Sequence, residues 1–247
     1  MKTENLTQFK KDLEELHIVL SDVQFDQFLT YYEMLVEKNK VMNLTAITEF
    51  DEVMKKHFID SLSLVHVCDI NENLSVIDVG TGAGFPGVPL KIAFPGLKLT
   101  LLDSLNKRVG FLQEVIETLG LTDTEAIHGR AEDFAKPGKL RESFDLCVSR
   151  AVANLSALSE YCLAYVKVGG KFISYKSEKV TVESQNKKTE IMEAQHAISV
   201  LGGKVTEQKG FTLPFSDIYR NLVVIEKCRP TPKQYPRKAG TANKKPL

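Results

Sequence analysis

Ser75-Val76-Ile77-Asp78-Val79-Gly80-Thr81-Gly82-Ala83-Gly84-Phe85-Pro86-Gly87-Val88-Pro89 is the stretch whose reading decides the fold. An apolar run that ends in an acid and passes into alternating glycines is how a strand hands over to a nucleotide-binding turn. Glycine at 80, 82 and 84 permits positive φ and removes the Cβ atoms that would keep a ligand off the backbone. A second apolar run closes at Leu101-Leu102-Asp103, and an acid there can hydrogen-bond a ribose. Three glycines in five residues at a strand–helix junction argue against a bare tight turn and for an adenosine-type cofactor.

Outward from this turn, short apolar runs alternate with longer amphipathic ones. Strands are expected at 75–79, 98–103, 124–128, 144–149, 171–175, 204–210 and 221–227, with helices at 86–94, 106–119, 155–165 and 180–201. Such alternation implies an α/β fold, Rossmann-like, with a mostly parallel sheet and helices on both faces. Residues 4–66 read as helical. Leu6, Phe9, Leu13, Leu16 and Leu20 recur at helical spacing, Ser21 and Gln24 form a capping box, and Met54, Phe58, Leu62 and Val65 make a later stripe. The expected division is an N-terminal helical extension over 1–70, a cofactor-binding domain over 71–228 and a basic tail over 229–247.

Composition sets bounds on function. A chain of 247 residues with 43% hydrophobic content can bury the core of one large domain. No apolar run approaches a membrane span and the first residues lack a signal-peptide core, so a cytoplasmic, membrane-free protein is expected. It is expected to act as a monomer. Cys68, Cys147, Cys162 and Cys228 are widely spaced, which argues against a metal site or a disulfide framework. Net charge is zero, yet residues 1–70 are acidic and seven Lys or Arg without an acid run from Lys227 onward. That tail, rich in proline and expected to be irregular, suits contact with a polyanion or plain solvation. Because it lies far along the chain from the glycine turn, deleting it is expected to leave cofactor affinity alone.

Gly82-x-Gly84-x-x-Gly87 also satisfies the dinucleotide pattern, so the glycines alone do not choose the cofactor. Three features favour S-adenosylmethionine over NAD. Asp78 places a carboxylate where it can attract an amino group and would repel a diphosphate. Phe85-Pro86 sets a bulky ring where pyrophosphate needs bare backbone. Arg130-Ala131-Glu132, after the third strand, offers a small residue beside a polar one to hold an adenine edge. Asp103 competes as a helix N-cap, a task Ser104 can perform instead.

The position after the fourth strand reads Ser149-Arg150-Ala151-Val152, without the Asn- or Asp-Pro-Pro-aromatic signature that polarises an exocyclic amine. Cys147 sits inside an apolar run and reads as a core residue, so covalent activation of a pyrimidine is not indicated. What remains is an atom already nucleophilic, such as a purine ring nitrogen, which needs alignment but no general base. Arg150 would then position groups near the methyl donor, or form a structural salt bridge.

Taken together, the chain resembles the bacterial small-subunit ribosomal RNA guanine-N7 methyltransferases of the glucose-inhibited division protein B family. The likeness runs through Asn43-Leu44-Thr45-Ala46, His57-Phe58-Ile59-Asp60-Ser61-Leu62, the glycine turn, Leu102-Asp103-Ser104, Gly129-Arg130-Ala131-Glu132, Ser149-Arg150-Ala151 and Pro236-Arg237-Lys238-Ala239-Gly240-Thr241. It implies a class I S-adenosylmethionine-dependent fold, with the cofactor at Gly80, Phe85, Asp103, Ser104, Ala131, Glu132 and Arg150. Gly82 joins them from the glycine reading. The resemblance further implies a guanine in the decoding-region loop of 16S rRNA, free or in a small-subunit precursor, as substrate. RNA contact is expected at Arg130, Lys176, Arg220, Arg237 and Lys238, with Tyr235 available to stack on a base. His57 and Asp60 are left out of the catalytic set, because guanine N7 needs no base. Two positions depart from the pattern: Tyr175-Lys176-Ser177, where Lys-Gly is expected, and Ala242, where proline is usual. The rival readings are an NAD-dependent oxidoreductase and a non-catalytic RNA-binding assembly factor.

Overall fold

The computed structural model describes residues 6–70, 73–150, 153–177 and 189–247. Helix α1 (Leu6–Glu15) buries Leu6, Phe9 and Leu13. Helix α2 (Asp22–Met42) opens on the expected capping box: Ser21 N–H donates to Gln24 Oε1 at 2.8 Å, and Gln24 N–H reaches Ser21 Oγ at 3.4 Å. The next stripe does not form one regular helix. It begins as α3 (Phe50–Val53), widens into a π-helical turn at Met54–Ile59, tightens at α4 (Asp60–Leu62) and ends as a 3₁₀ turn at Ser63–His66. Phe9, Phe28 and Phe58 interlock there, with ring centroids 5.1–6.4 Å apart.

The remainder alternates as expected. Strand β1 is Ser75–Val79, followed by α5 (Gly87–Ala93), β2 (Lys98–Asp103), α6 (Asn106–Leu119), β3 (Thr124–His128), a short α7 (Ala131–Phe134) and β4 (Phe144–Arg150). Then come α8 (Leu155–Cys162), a 3₁₀ turn at Leu163–Tyr165, β5 (Val166–Lys176), α9 (Glu190–Val200), β6 (Gly203–Thr212), β7 (Tyr219–Lys227) and α10 (Thr241–Lys244). The expected helix over 180–201 is helical from Glu190, and its first residues, 180–188, lie outside the described ones, as do Ala151 and Val152.

Among the described residues the strands form a seven-stranded sheet in the order β3-β2-β1-β4-β5-β7-β6. Pairs β1–β2, β1–β4, β2–β3 and β4–β5 are parallel, with Ile77 opposite both Thr100 and Cys147. Strand β7 runs antiparallel between β5 and β6, because the link from Thr212 to Tyr219 is too short for a parallel crossover. Helices α1, α2, α5 and α6 seal one face of the sheet in one apolar cluster, and α8 and α9 seal the other. Strand order reverses between β1 and β4, so a crevice opens at their carboxyl ends.

The tail is irregular from Cys228 to Gly240, as expected, but it is docked. Arg141 donates to the carbonyls of Tyr235 at 2.8 Å and Thr231 at 2.5 Å, and Ala242 is buried against the α8 face. Lys227, counted with the basic tail by sequence, is fully buried. Its ammonium donates to Leu163 O and Thr231 Oγ1, both at 2.6 Å, and desolvation lowers its pKa to about 8.

Candidate active site

The glycine turn is fastened from two sides. Gly80 N–H and Thr81 N–H donate to Leu102 O at 2.8 and 3.2 Å, and Tyr31 Oη, from α2, donates to Ala83 O at 2.6 Å. Gly84 has φ +109, and a Cβ there would sit 2.7 Å from Tyr31 Oη, so only glycine allows the tyrosine its place. Gly82 has φ +64, with nothing within 4 Å of where a Cβ would stand. The space over it is open to a ligand.

Asp78, next to last in β1, has no exposure to solvent. Its Oδ2 accepts from Thr81 Oγ1 at 2.7 Å and Gly87 N–H at 2.8 Å, while its Oδ1 has no hydrogen-bond partner. Burial pushes the carboxyl up to about 7, although both hydrogen bonds pull it down. That oxygen and Ser174 Oγ are the buried side-chain atoms without a partner among the described residues, and Oδ1 is free to take a donor that reaches it. Asp103, at the end of β2, accepts from Gly82 N–H and Leu105 N–H, both at 2.9 Å, and lies 3.5 Å from Arg108. It therefore braces the turn as well as lining the crevice. Neither Asp103 nor Ser104 caps α6, whose N-cap position is Leu105 and carries no side-chain cap.

A cavity of about 350 Å³ continues past the turn, walled by Gly80, Ser104, Ala131, Glu132, Gly240 and Asn243, with Arg130 at its exposed rim. Glu132 is 7% exposed, and its Oε1 accepts from Gly240 N–H at 2.8 Å. The groups fit S-adenosylmethionine: an orphaned carboxylate oxygen for the ammonium, Asp103 for the ribose, and a slot between Ser104 and Ala131 for the adenine. A dinucleotide fits poorly, because its pyrophosphate would face two buried acids and the Phe85 ring.

Arg150 stands at the end of β4, where this crevice meets a second cavity of about 740 Å³. Its guanidinium donates to Asp60 Oδ2 at 3.0 Å, lies 3.3 Å from His57 Nδ1 and sits 4.9 Å over the Phe85 ring. His57 stacks on Phe85 at 4.5 Å and its Nε2 pairs with Thr45 Oγ1 at 2.8 Å. With Arg150 donating to Nδ1, His57 is the neutral Nε2–H tautomer, and burial plus the Arg150 charge hold its pKa at about 4. The other oxygen of Asp60 accepts from Arg220 Nε at 2.9 Å. Lys176 donates to Ala153 O at 2.9 Å and pairs with Glu190 at 2.6 Å on the same wall.

The structure thus brings Gly80, Gly82, Phe85, Asp103, Ser104, Ala131, Glu132 and Arg150 around one crevice, with Lys176 and Arg220 at the adjoining cavity. Lys238 is exposed on the tail. Arg237, expected at RNA, instead closes on Glu160: Nε lies 3.0 Å from Oε1 and Nη2 lies 2.6 Å from Oε2 of a carboxylate that is 1% exposed. Sequence reading did not place Tyr31, Gly240 or Asn243 at the site, and it weighed His57 and Asp60 only as catalytic groups and left them out. For Gly240 a signal existed, since its block belonged to the resemblance.

Residues 24–211 match the family described as rRNA small subunit methyltransferase G. The chain belongs to that family. Ribosomal RNA small subunit methyltransferase G of Alkaliphilus metalliredigens is 56% identical over 238 residues, covering 96% of this chain and 97% of the relative. The protein of the same name from Bacillus cereus strain B4264 is 50% identical over 243 residues, covering 98% and 99%. Among solved structures, a SAM-dependent methyltransferase from Aquifex aeolicus superposes with a TM-score of 0.52 at 17% identity, covering 77% of this chain and 97% of that one. The [4+2]-cyclase SpnF does so at 0.54 and 11% identity, covering 70% and 82%. A cyclase on the same fold shows that architecture alone does not assign the reaction. Family membership does: the chain is an S-adenosylmethionine-dependent rRNA methyltransferase, and the oxidoreductase and non-catalytic readings are not favoured. Among the described residues no helix is long and apolar enough to cross a membrane, and no cluster of potential metal ligands is found.

Proposed function

We propose that this chain transfers a methyl group from S-adenosylmethionine to N7 of a guanine in the decoding-region loop of 16S rRNA, acting as a cytoplasmic monomer on the RNA or a small-subunit precursor. The observation that carries this reading is a cavity beside Arg150 with room for a base, where the groups that could take a proton are already engaged, Glu190 by Lys176 and by Leu155 N–H. His57 is held neutral, with a pKa of about 4 and both ring nitrogens engaged. Both oxygens of Asp60 are taken by Arg150 and Arg220. Cys147 has no exposure, and burial pushes its thiol well up, so it offers no thiolate to a ring carbon. Guanine N7 already carries an in-plane lone pair at neutral pH, so alignment suffices.

The cofactor, when bound, supplies an electrophilic methyl carbon on a sulfonium. Asp78 would hold its ammonium and Asp103 its ribose, while Ser104, Ala131 and Glu132 would flank the adenine over the bare backbone of Gly80 and Gly82. Phe85, stacked under His57 and Arg150, lines the glycine-turn side of the crevice, and His57 and Arg150 form the partition shared with the second cavity. Arg150 keeps that partition rigid and turns positive charge toward the base, suited to guanine O6. Arg130, Lys176, Arg220 and Lys238 would meet the RNA backbone. The test is label transfer from S-adenosylmethionine to small-subunit rRNA lacking the modification, followed by reductive strand scission at N7-methylguanine. Label on an exocyclic nitrogen would overturn the N7 assignment, and unlabelled RNA would overturn the substrate.

A further inference from the structure

We propose that the C-terminal segment from Pro236 onward is a working wall of the cofactor pocket, and that Arg237 is the positioning residue that sets it. This rests on the identity of the cofactor and is independent of which RNA atom is methylated.

Three contacts carry the proposal. Gly240 and Asn243 line the same 350 Å³ cavity as Gly80, Ser104 and Ala131, across more than 100 residues of chain. Gly240 N–H donates to Glu132 Oε1 at 2.8 Å, so the tail fixes one oxygen of the acid placed beside the adenine slot and leaves Oε2 for a ligand. On α8, adjacent residues meet the segment. Glu160 grips the Arg237 fork and its N–H, the latter at 2.7 Å, and Tyr161 stands in the same cavity wall as Asn243. Arg237 Nη2 also donates to Lys245 O at 2.9 Å, closing the loop 237–245 on itself. Glu160 is almost fully buried, and an unpaired carboxylate there is costly, so losing Arg237 releases the segment rather than leaving it in place. Gly240 and Asn243 then cease to define the slot.

Isothermal titration with S-adenosylmethionine and initial-rate kinetics on the full chain test this. Arg237→Gln is expected to raise the cofactor Kd about tenfold, the scale of one lost charge-assisted contact, with kcat retained at saturating cofactor. KM for RNA and its salt dependence should not move. Exchanging the pair, Arg237→Glu with Glu160→Arg, is expected to recover part of the loss. In the unsubstituted protein, amide exchange over 239–244 is expected to slow when S-adenosylmethionine is added. A variant with unchanged cofactor Kd and an RNA salt slope reduced by about 0.7–0.9 would overturn the proposal and make Arg237 a phosphate contact. A lowered thermal midpoint with unchanged Kd would make it purely structural. Exchange over 239–244 indifferent to the cofactor would overturn the wall itself.

Discussion

Replacing Asp78 by Asn tests the reasoning about the cofactor's amino end most directly. The carboxyl is buried, its Oδ1 lacks a partner, and its pKa stands near 7 against an ordinary 3.8. A folded pKa above the unfolded one means that ionisation disfavours the cofactor-free fold. That contribution is absent below about pH 4, grows as pH rises through the window from 3.8 to 7, and is complete above it. Three pKa units correspond to roughly 4 kcal/mol at pH 8, an upper bound for relief by a neutral isostere. Asn gives back part of this, because the bonds from Thr81 and Gly87 lose their charge-assisted strength. The expected net change is a cofactor-free protein of Asp78→Asn more stable by about 1 kcal/mol or more at pH 8. Cofactor binding should move the other way. The loss of a charge-assisted bond to the ammonium amounts to roughly 1.5–3 kcal/mol, or about 10- to 150-fold in Kd. Unsubstituted protein should bind S-adenosylmethionine about tenfold more weakly at pH 6 than at pH 8, with proton release at the lower pH, and Asp78→Asn should lose that dependence. Calorimetric titration across this range and thermal denaturation without cofactor measure both halves. An Asn variant that binds as tightly as the original and melts lower would refute the assignment of Oδ1 to the ammonium.

Asp103→Ala should weaken S-adenosylmethionine binding about 10- to 150-fold without unfolding the protein, with a modest drop in melting temperature because Gly82 and Leu105 lose their acceptor. An unchanged Kd would remove the ribose role. Tyr31→Phe leaves the Ala83 carbonyl without its donor and should cost about 1–3 kcal/mol in denaturant unfolding. Stability equal to the original would show the turn to be held by its backbone alone. Methylation should survive replacement of all four cysteines once stability loss is allowed for, and a folded, cofactor-binding Cys147→Ser variant without turnover would restore a covalent route. Arg150→Gln should raise the His57 pKa from about 4 toward, but not to, 6.5, since burial is the larger cause and remains. Proton NMR of the imidazole reads this, and an unmoved pKa would detach the two residues.

The fold was legible because its signals are local. Alternating apolar runs, the glycine turn and the Ser21–Gln24 box each lie within one element and its neighbour. The reversal of β7 was not, since a buried run such as 221–227 looks the same whichever way its neighbours run; the short link before it was the available clue. The π-helical turn at Met54–Ile59 was hidden for a similar reason. Its apolar positions satisfy a helical stripe, and one extra residue in a turn barely disturbs that count. The tail misled through composition. Lys227 reads as a solvated cation, yet its ammonium is held by Leu163 O, 64 residues away, by a hydroxyl four residues on and by Glu142 at 3.3 Å.

The same distinction between near and far partners explains the site. The roles proposed for Asp78, Asp103 and the glycines depend on their own backbone surroundings, so their spacing announces them. The role proposed for Arg150 depends on residues about 90 positions earlier, and nothing near it in sequence states that Asp60 will take its charge and His57 will accept from it. Of the two readings of Arg150 open at the sequence level, the structure shows the salt bridge, and the proposed positioning role is built on it. The ion pair to Asp60 fixes the guanidinium over Phe85, and Asp60 in turn is fixed by Arg220 from β7. An arginine held this way presents its charge to the neighbouring cavity without rotating, which is what alignment of an already nucleophilic atom requires. It also makes the π-helical turn intelligible, because that turn carries His57 and runs directly into Asp60 beneath the end of β4.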